Sequence, residues 1–137
     1  DVDEMSGAIS MGMKIYVNPK KKKYIIAPGE DMYGMEGFEE EEEELEKNWI
    51  DYKEVERMSS TESYRVMEDF TETVADRKIR KRLQEALNRP KPFRNFRYEV
   101  DNSGRYRELW FAFKDQAEYD WVRQQVLEIE ARREEEE

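Results

Sequence analysis

The chain has 137 residues, enough to bury a core without disulfide or metal staples. It contains neither Cys nor His, which excludes disulfides, thiolate chemistry, Cys/His zinc sites and the commonest general base, and suits a reducing, cytoplasmic setting. Thirty-four acidic against 24 basic residues give a net charge of −10, an average field that disfavours nucleic acid, and no apolar run approaches the roughly 18 residues of a membrane span, so a membrane partner is not expected.

Residues 2–11 read as a short helix, with acids at its start and Gly12 after its end; Gly7 weakens it. Two β-rich runs follow, Met13–Val17 and Lys23–Ala27. Asn18 and Pro19 favour a turn between them, giving a hairpin with a lysine tip at Lys20–Lys23. Residues 30–48 are acidic, and Glu39–Glu44 is an unbroken glutamate run. It reads as a solvated loop or exposed helix, because a homopolymeric run lacks the shaped spacing that Ca²⁺ or Mg²⁺ requires. Trp49–Met58 alternates apolar and polar residues and reads as a third strand, with a bulge where the alternation slips near Val55.

Ser59 and Glu62 form a capping box, with Ser59 covering open amides and Glu62 reaching back. Val66, Met67, Phe70 and Val74 follow at helical spacing. Asp76 caps a second helix whose buried stripe is Ile79, Leu83, Ala86 and Leu87. Asn88 and Pro90 stop it. Phe93, Phe96 and Val100 predict another short helix, broken at Asn102-Ser103-Gly104. Tyr106, Leu109, Trp110 and Phe113 fit helical spacing, although the apolar run 109–113 also fits a strand. Asp115-Gln116-Ala117-Glu118 reads as a second capping box opening a terminal helix. The expected fold is a single α+β domain over residues 1–131, a small antiparallel sheet of about three strands packed against four to six helices. A frayed acidic tail, 132–137, is expected to follow.

Four stretches carry a family resemblance. They are Met11-Gly12-Met13-Lys14-Ile15-Tyr16-Val17-Asn18; Met67-Glu68-Asp69-Phe70-Thr71-Glu72-Thr73-Val74; Leu83-Gln84-Glu85-Ala86-Leu87-Asn88 with Pro92-Phe93-Arg94-Asn95-Phe96-Arg97; and Glu108-Leu109-Trp110-Phe111-Ala112-Phe113-Lys114-Asp115. In order and spacing the chain resembles the uncharacterised bacterial protein family 0158 over most of residues 11–125. Two departures stand out. Arg89-Pro90-Lys91-Pro92 replaces the family's Gly-Gly-type turn before the Phe, and the glutamate run is particular to this chain. The resemblance implies one domain and no assigned activity.

The sharpest functional feature is a reversal of charge. Between Arg77 and Arg107 lie eleven basic and three acidic residues, with Phe93, Phe96, Tyr98 and Tyr106 interleaved. Three readings compete. The segment matches the chain's own acids, Glu39–Glu44 among them; it forms a face for an acidic protein partner; or it binds RNA or DNA, with cations on phosphates and rings on bases, helped by Lys20–Lys23. Internal charge matching carries the most weight for the segment as a whole; of the two functional readings the partner one leads, with Arg82, Lys91, Arg94, Arg97 and Arg105 as the binding residues. Glu68 and Glu72 share a helix face beside Asp69. That group reads as a solvated face, with a charge pair from Arg94 or Arg97 to Glu68 or Asp69 as the structural alternative and a divalent-ion enzyme as the remote one. Trp110, Phe113 and Trp121 are expected in or near the core. No glycine-rich phosphate loop occurs. The expected function is therefore a non-enzymatic binding or regulatory module with no cofactor and no metal.

Overall fold

The computed structural model describes residues 1–32 and 34–136. The fold is α+β. Among the described residues it has six helices and one three-stranded antiparallel sheet: α1 Val2–Ser10, β1 Lys14–Asn18, β2 Lys23–Ala27, α2 Glu39–Asn48, β3 Lys53–Glu54, α3 Ser60–Thr73, α4 Arg77–Leu87, α5 Pro92–Asp101 and α6 Tyr106–Glu136. The chain forms two compact units. One is Asp1–Arg57 with Tyr119–Glu137; the other is Met58–Glu118. The expected tail at 132–137 ends outside the described residues.

In the sheet-bearing unit, Asp1 caps α1 by accepting from the amides of Asp3 and Glu4 at 2.8 and 3.2 Å. The strand order is β2-β1-β3, and the register explains the burial. Ile15 lies opposite Ile26 and Val17 opposite Tyr24, and all four join the core of Met5, Ala8, Val55, Val122 and Ile129. Tyr16 lies opposite Ile25 on the other face, where Ala27, Tyr52 and Leu45 of α2 cover them. A period of two thus feeds two cores. In the hairpin tip the Asn18 side chain accepts from the Lys21 amide at 3.2 Å, and Lys22 takes φ +50.

The third strand is much shorter than the sequence suggests. Trp49–Asp51 is one turn of 3₁₀ helix, and only Lys53 and Glu54 pair with β1. Trp49 and Ile50 are 70% and 68% exposed. No bulge is needed at Val55. Tyr52 and Val55 are three apart, so they face opposite sides of the sheet, and each side has its own core.

The glutamate run lies on α2, where four acids in the first turn favour the positive end of the helix. Glu44 fastens the helix to the hairpin. Its carboxylate accepts from Asn48 at 2.8 Å and lies 3.5 Å from both the Lys23 ammonium and the Tyr52 hydroxyl. The Asn48 hydrogen bond, opposed by desolvation and aided by Lys23, holds this carboxyl below the ordinary glutamate range. A depressed carboxylate stabilises the fold above its unfolded pKa, and that contribution is lost as pH falls through the folded value. Glu44→Gln should therefore melt below the native chain at pH 7. The gap should close as pH falls below about 4, a comparison made by thermal denaturation at both pH values.

In the helical unit, Ser59 accepts from the Glu62 amide at 3.2 Å, and its hydroxyl donates to the Glu62 carboxylate at 2.6 Å. Glu62 thus closes the box on the serine hydroxyl rather than on the backbone. Asp76 caps α4 through the amides of Lys78 and Ile79. Met67, Phe70, Val74, Leu83, Leu87, Phe96, Val100 and Tyr106 form the core. Trp110 and Phe113 pack on it half-buried, with ring centroids 5.3 and 5.5 Å from Phe70; Trp110 also meets Phe96 edge-on at 5.0 Å. The Tyr64 hydroxyl donates to the Leu87 carbonyl at 2.8 Å and ties α3 to the end of α4.

Residues 109–113 are helical, and the break expected at Asp115 is absent: α6 runs unbroken through it. No Gly or Pro lies between Tyr106 and Glu136, and the i,i+4 pair Lys114–Glu118 spans the would-be cap.

Lys91 precedes Pro92 at φ +60, ψ +53, the left-handed conformation that glycine adopts freely. A strained lysine thus builds the turn into α5. Lys91→Gly should raise stability by about 1 kcal/mol, read as a higher urea midpoint.

Candidate functional site

The two units divide the charge unequally. The helical unit carries thirteen basic against eleven acidic residues (+2); the sheet-bearing unit carries eleven against 23 (−12). Within the helical unit the cations concentrate on α4, α5 and the start of α6. Arg80 is half-buried and the other ten basic residues of 77–107 are exposed. Core packing dictates this. Leu83, Ala86 and Leu87 take the inner face of α4, and Phe96 and Val100 that of α5, so the arginines and lysines fill what remains.

Arg89 lies 3.9 Å from Glu85, Arg97 3.9 Å from Asp101 and Arg107 3.2 Å from the same Asp101. These pairs are exposed and weak. Arg105 donates to the Tyr106 hydroxyl at 3.3 Å and lies 5.1 Å above its ring; the Asp76 amide donates to the same oxygen. Those two hydrogen bonds hold the Tyr106 hydroxyl below the usual phenol range. Arg77, Lys78, Arg80, Lys81, Arg82, Lys91 and Arg94 have no acidic partner within 4 Å among the described residues. The proposed pair from Arg94 or Arg97 to Glu68 or Asp69 is not formed.

Arg97, alone among the basic residues of 77–107, lines a groove that sequence reasoning missed. The groove measures about 350 Å³ and is framed by α3, α5 and α6. Val66, Phe96, Val100 and Trp110 give it apolar walls, and Arg97, Asp101, Lys114 and Glu118 stand among its lining residues. Phe93 and Phe111, 44% and 38% exposed, also line it. The Arg107 guanidinium lies 4.8 Å from the centre of the Phe111 ring. Phe93 is thus a groove residue, not a core residue as its spacing suggested. The clue in the sequence was Arg97, one turn after Phe93 on the same helix face.

Glu68 and Glu72 line a separate small cleft with Gln84 and Asn88, and Asp69 does not join them. Among the described residues no group of three acidic side chains could hold a metal ion. Among the same residues no helix is long and apolar enough to cross a membrane. The lysine tip belongs to the sheet-bearing unit, where Lys20 pairs with Asp51 at 3.2 Å and Lys23 with Glu44.

Residues 15–136, nearly the whole chain, match the model of one protein family. The chain belongs to the uncharacterised protein family UPF0158. No curated protein and no solved structure matches it. Membership in UPF0158 agrees with the motif order read from the sequence and brings no activity with it.

Proposed function

We propose that this UPF0158 member is a non-enzymatic binding module of a bacterial-type cytosol, and that its helical unit contacts an acidic protein partner through α4 and α5. The observation that carries the reading is the set of seven cations without an acidic partner among the described residues, on or at the start of helices whose opposite faces are used by the core. A second observation supports it. Arg77, Lys78 and Arg80 crowd the first turn of α4, next to the positive end of the helix, where each such charge costs about 0.3–1 kcal/mol. An anionic partner offsets that cost. The alternative, accessory RNA or DNA binding by the same face, draws on Tyr98, 66% exposed between Arg94 and Arg97 and the start of α6. The surplus of acids in the rest of the chain opposes it.

The test replaces exposed Tyr98 by a photo-crosslinking phenylalanine in cells. Discrete protein adducts that resist nuclease and vanish when Arg82, Lys91, Arg94 and Arg97 all become Glu support the partner reading. Adducts that nuclease removes favour nucleic acid, and unchanged adducts in the charge-reversed chain reject the face.

A further inference from the structure

The groove framed by α3, α5 and α6 has features that charge alone does not explain. Two phenylalanine rings, Phe93 and Phe111, stay part-exposed at its edge, and its lining is mostly apolar. Its volume of about 350 Å³ lies at the small end of ligand pockets, with room for a bulky apolar side chain. A small polar ligand is poorly served there. Such ligands need fixed polar groups inside the pocket. Here Arg97 and Lys114 are exposed, and each already has a carboxylate nearby at 3.9 Å.

The charge beside the groove names the occupant. One carboxylate, Asp101, faces two guanidiniums, Arg97 and Arg107, so this corner keeps a surplus positive charge. At the start of α5, Lys91 and Arg94 have no acid within 4 Å among the described residues. Resting on the partner reading above, we infer that the groove takes the apolar anchor of an acidic amphipathic helix, whose carboxylates meet Lys91, Arg94, Arg97 and Arg107. This is helix-in-groove recognition, in which apolar side chains spaced i, i+3/i+4 and i+7 give affinity and the surrounding charge gives orientation.

The three tryptophans make the inference directly measurable. Trp110 lines the groove, Trp49 is exposed in the other unit, and the Trp121 indole donates to the Glu56 carbonyl at 2.8 Å. Their indole N–H resonances are followed by NMR during titration with a synthetic 16-residue glutamate-rich helical peptide carrying Leu at i, i+3, i+4 and i+7. A control peptide has Ala at those positions. The expected result is a shift of the Trp110 resonance, with Trp49 and Trp121 unmoved, and a Kd at least tenfold tighter for the Leu peptide. Ala117→Phe, which fills the groove from α6, should erase that tenfold preference; Phe111→Ser, at an exposed position, provides the same test should the larger residue disturb folding. If both peptides bind equally, moving α4 and α5 amides but not Trp110, the groove inference is wrong while the acidic-partner reading stands. If neither peptide binds, both fail. A single-stranded oligonucleotide that shifts Trp110 where the peptides do not also overturns it.

Discussion

Gly29→Ala should destabilise the sheet-bearing unit by about 3 kcal/mol or more, the upper end of overpacking costs. A Cβ on Gly29 would collide with the Gly12 carbonyl oxygen, far inside van der Waals contact. That oxygen cannot retreat easily. The Gly12 amide donates to the Ile9 carbonyl at 3.0 Å and the Met13 amide to the Ala8 carbonyl at 3.0 Å, so the peptide between them is pinned to the end of α1. Gly7 is the matched control. It lies within α1, is exposed, and has nothing within 4 Å of an added Cβ. Gly7→Ala should stabilise by roughly 0.5–1 kcal/mol through helix propensity alone. Opposite shifts of the urea midpoint from one chemical change would separate close backbone approach from propensity. Shifts of the same sign would mean that Gly29 does not lie against Gly12.

The elements legible in the sequence were those whose signals are local. Ser59 and Asp76 marked helix starts because a capping side chain acts within three residues of itself. The hairpin was legible because Asn18 and Pro19 sit between two β-branched and aromatic runs. Errors arose where a local signal was outvoted. Asp115 carries a capping pattern, yet nothing around it halts a helix, and continuing costs only a few tenths of a kcal/mol at such a position. Trp49 and Ile50 have strand-forming side chains, but β1 extends only to Lys14–Asn18, and its pairing with β3 uses Tyr16 and Val17 alone.

The candidate site was half legible for the same reason. The charge reversal over 77–107 is a property of neighbours in sequence, and exposure of its arginines follows once the apolar stripe of each helix is drawn. The groove joins Val66, Phe93 and Trp110, which are 27 and 17 residues apart along the chain, and no periodicity within one helix announces a contact among three. Arg105 shows the limit on the charged side: it has the composition of a binding residue, but it stacks on Tyr106 and donates to its hydroxyl.

Phe96→Ala should cost about 3–5 kcal/mol, whereas Phe93→Ala, three residues earlier on the same helix, should cost under about 1 kcal/mol. By spacing the two are equivalent. By burial they are not: Phe96 is 1% exposed beneath the edge of Trp110, and Phe93 keeps 44% of its surface in water. Removing Phe96 opens a cavity between α5 and α6 and takes from Trp110 one of its ring contacts, leaving that with Phe70, so the transfer and cavity terms add. Removing Phe93 widens a groove that is open to solvent and creates no sealed void. Guanidinium or urea unfolding of the two variants measures the difference. Peptide titration should then reverse the order of importance. Phe93→Ala should fold normally and lose affinity for the leucine-bearing acidic helix, because the proposed helix would draw its apolar contact from that exposed ring. Equal stability losses at 93 and 96 would mean that Phe93 belongs to the core, and would remove one wall of the proposed site.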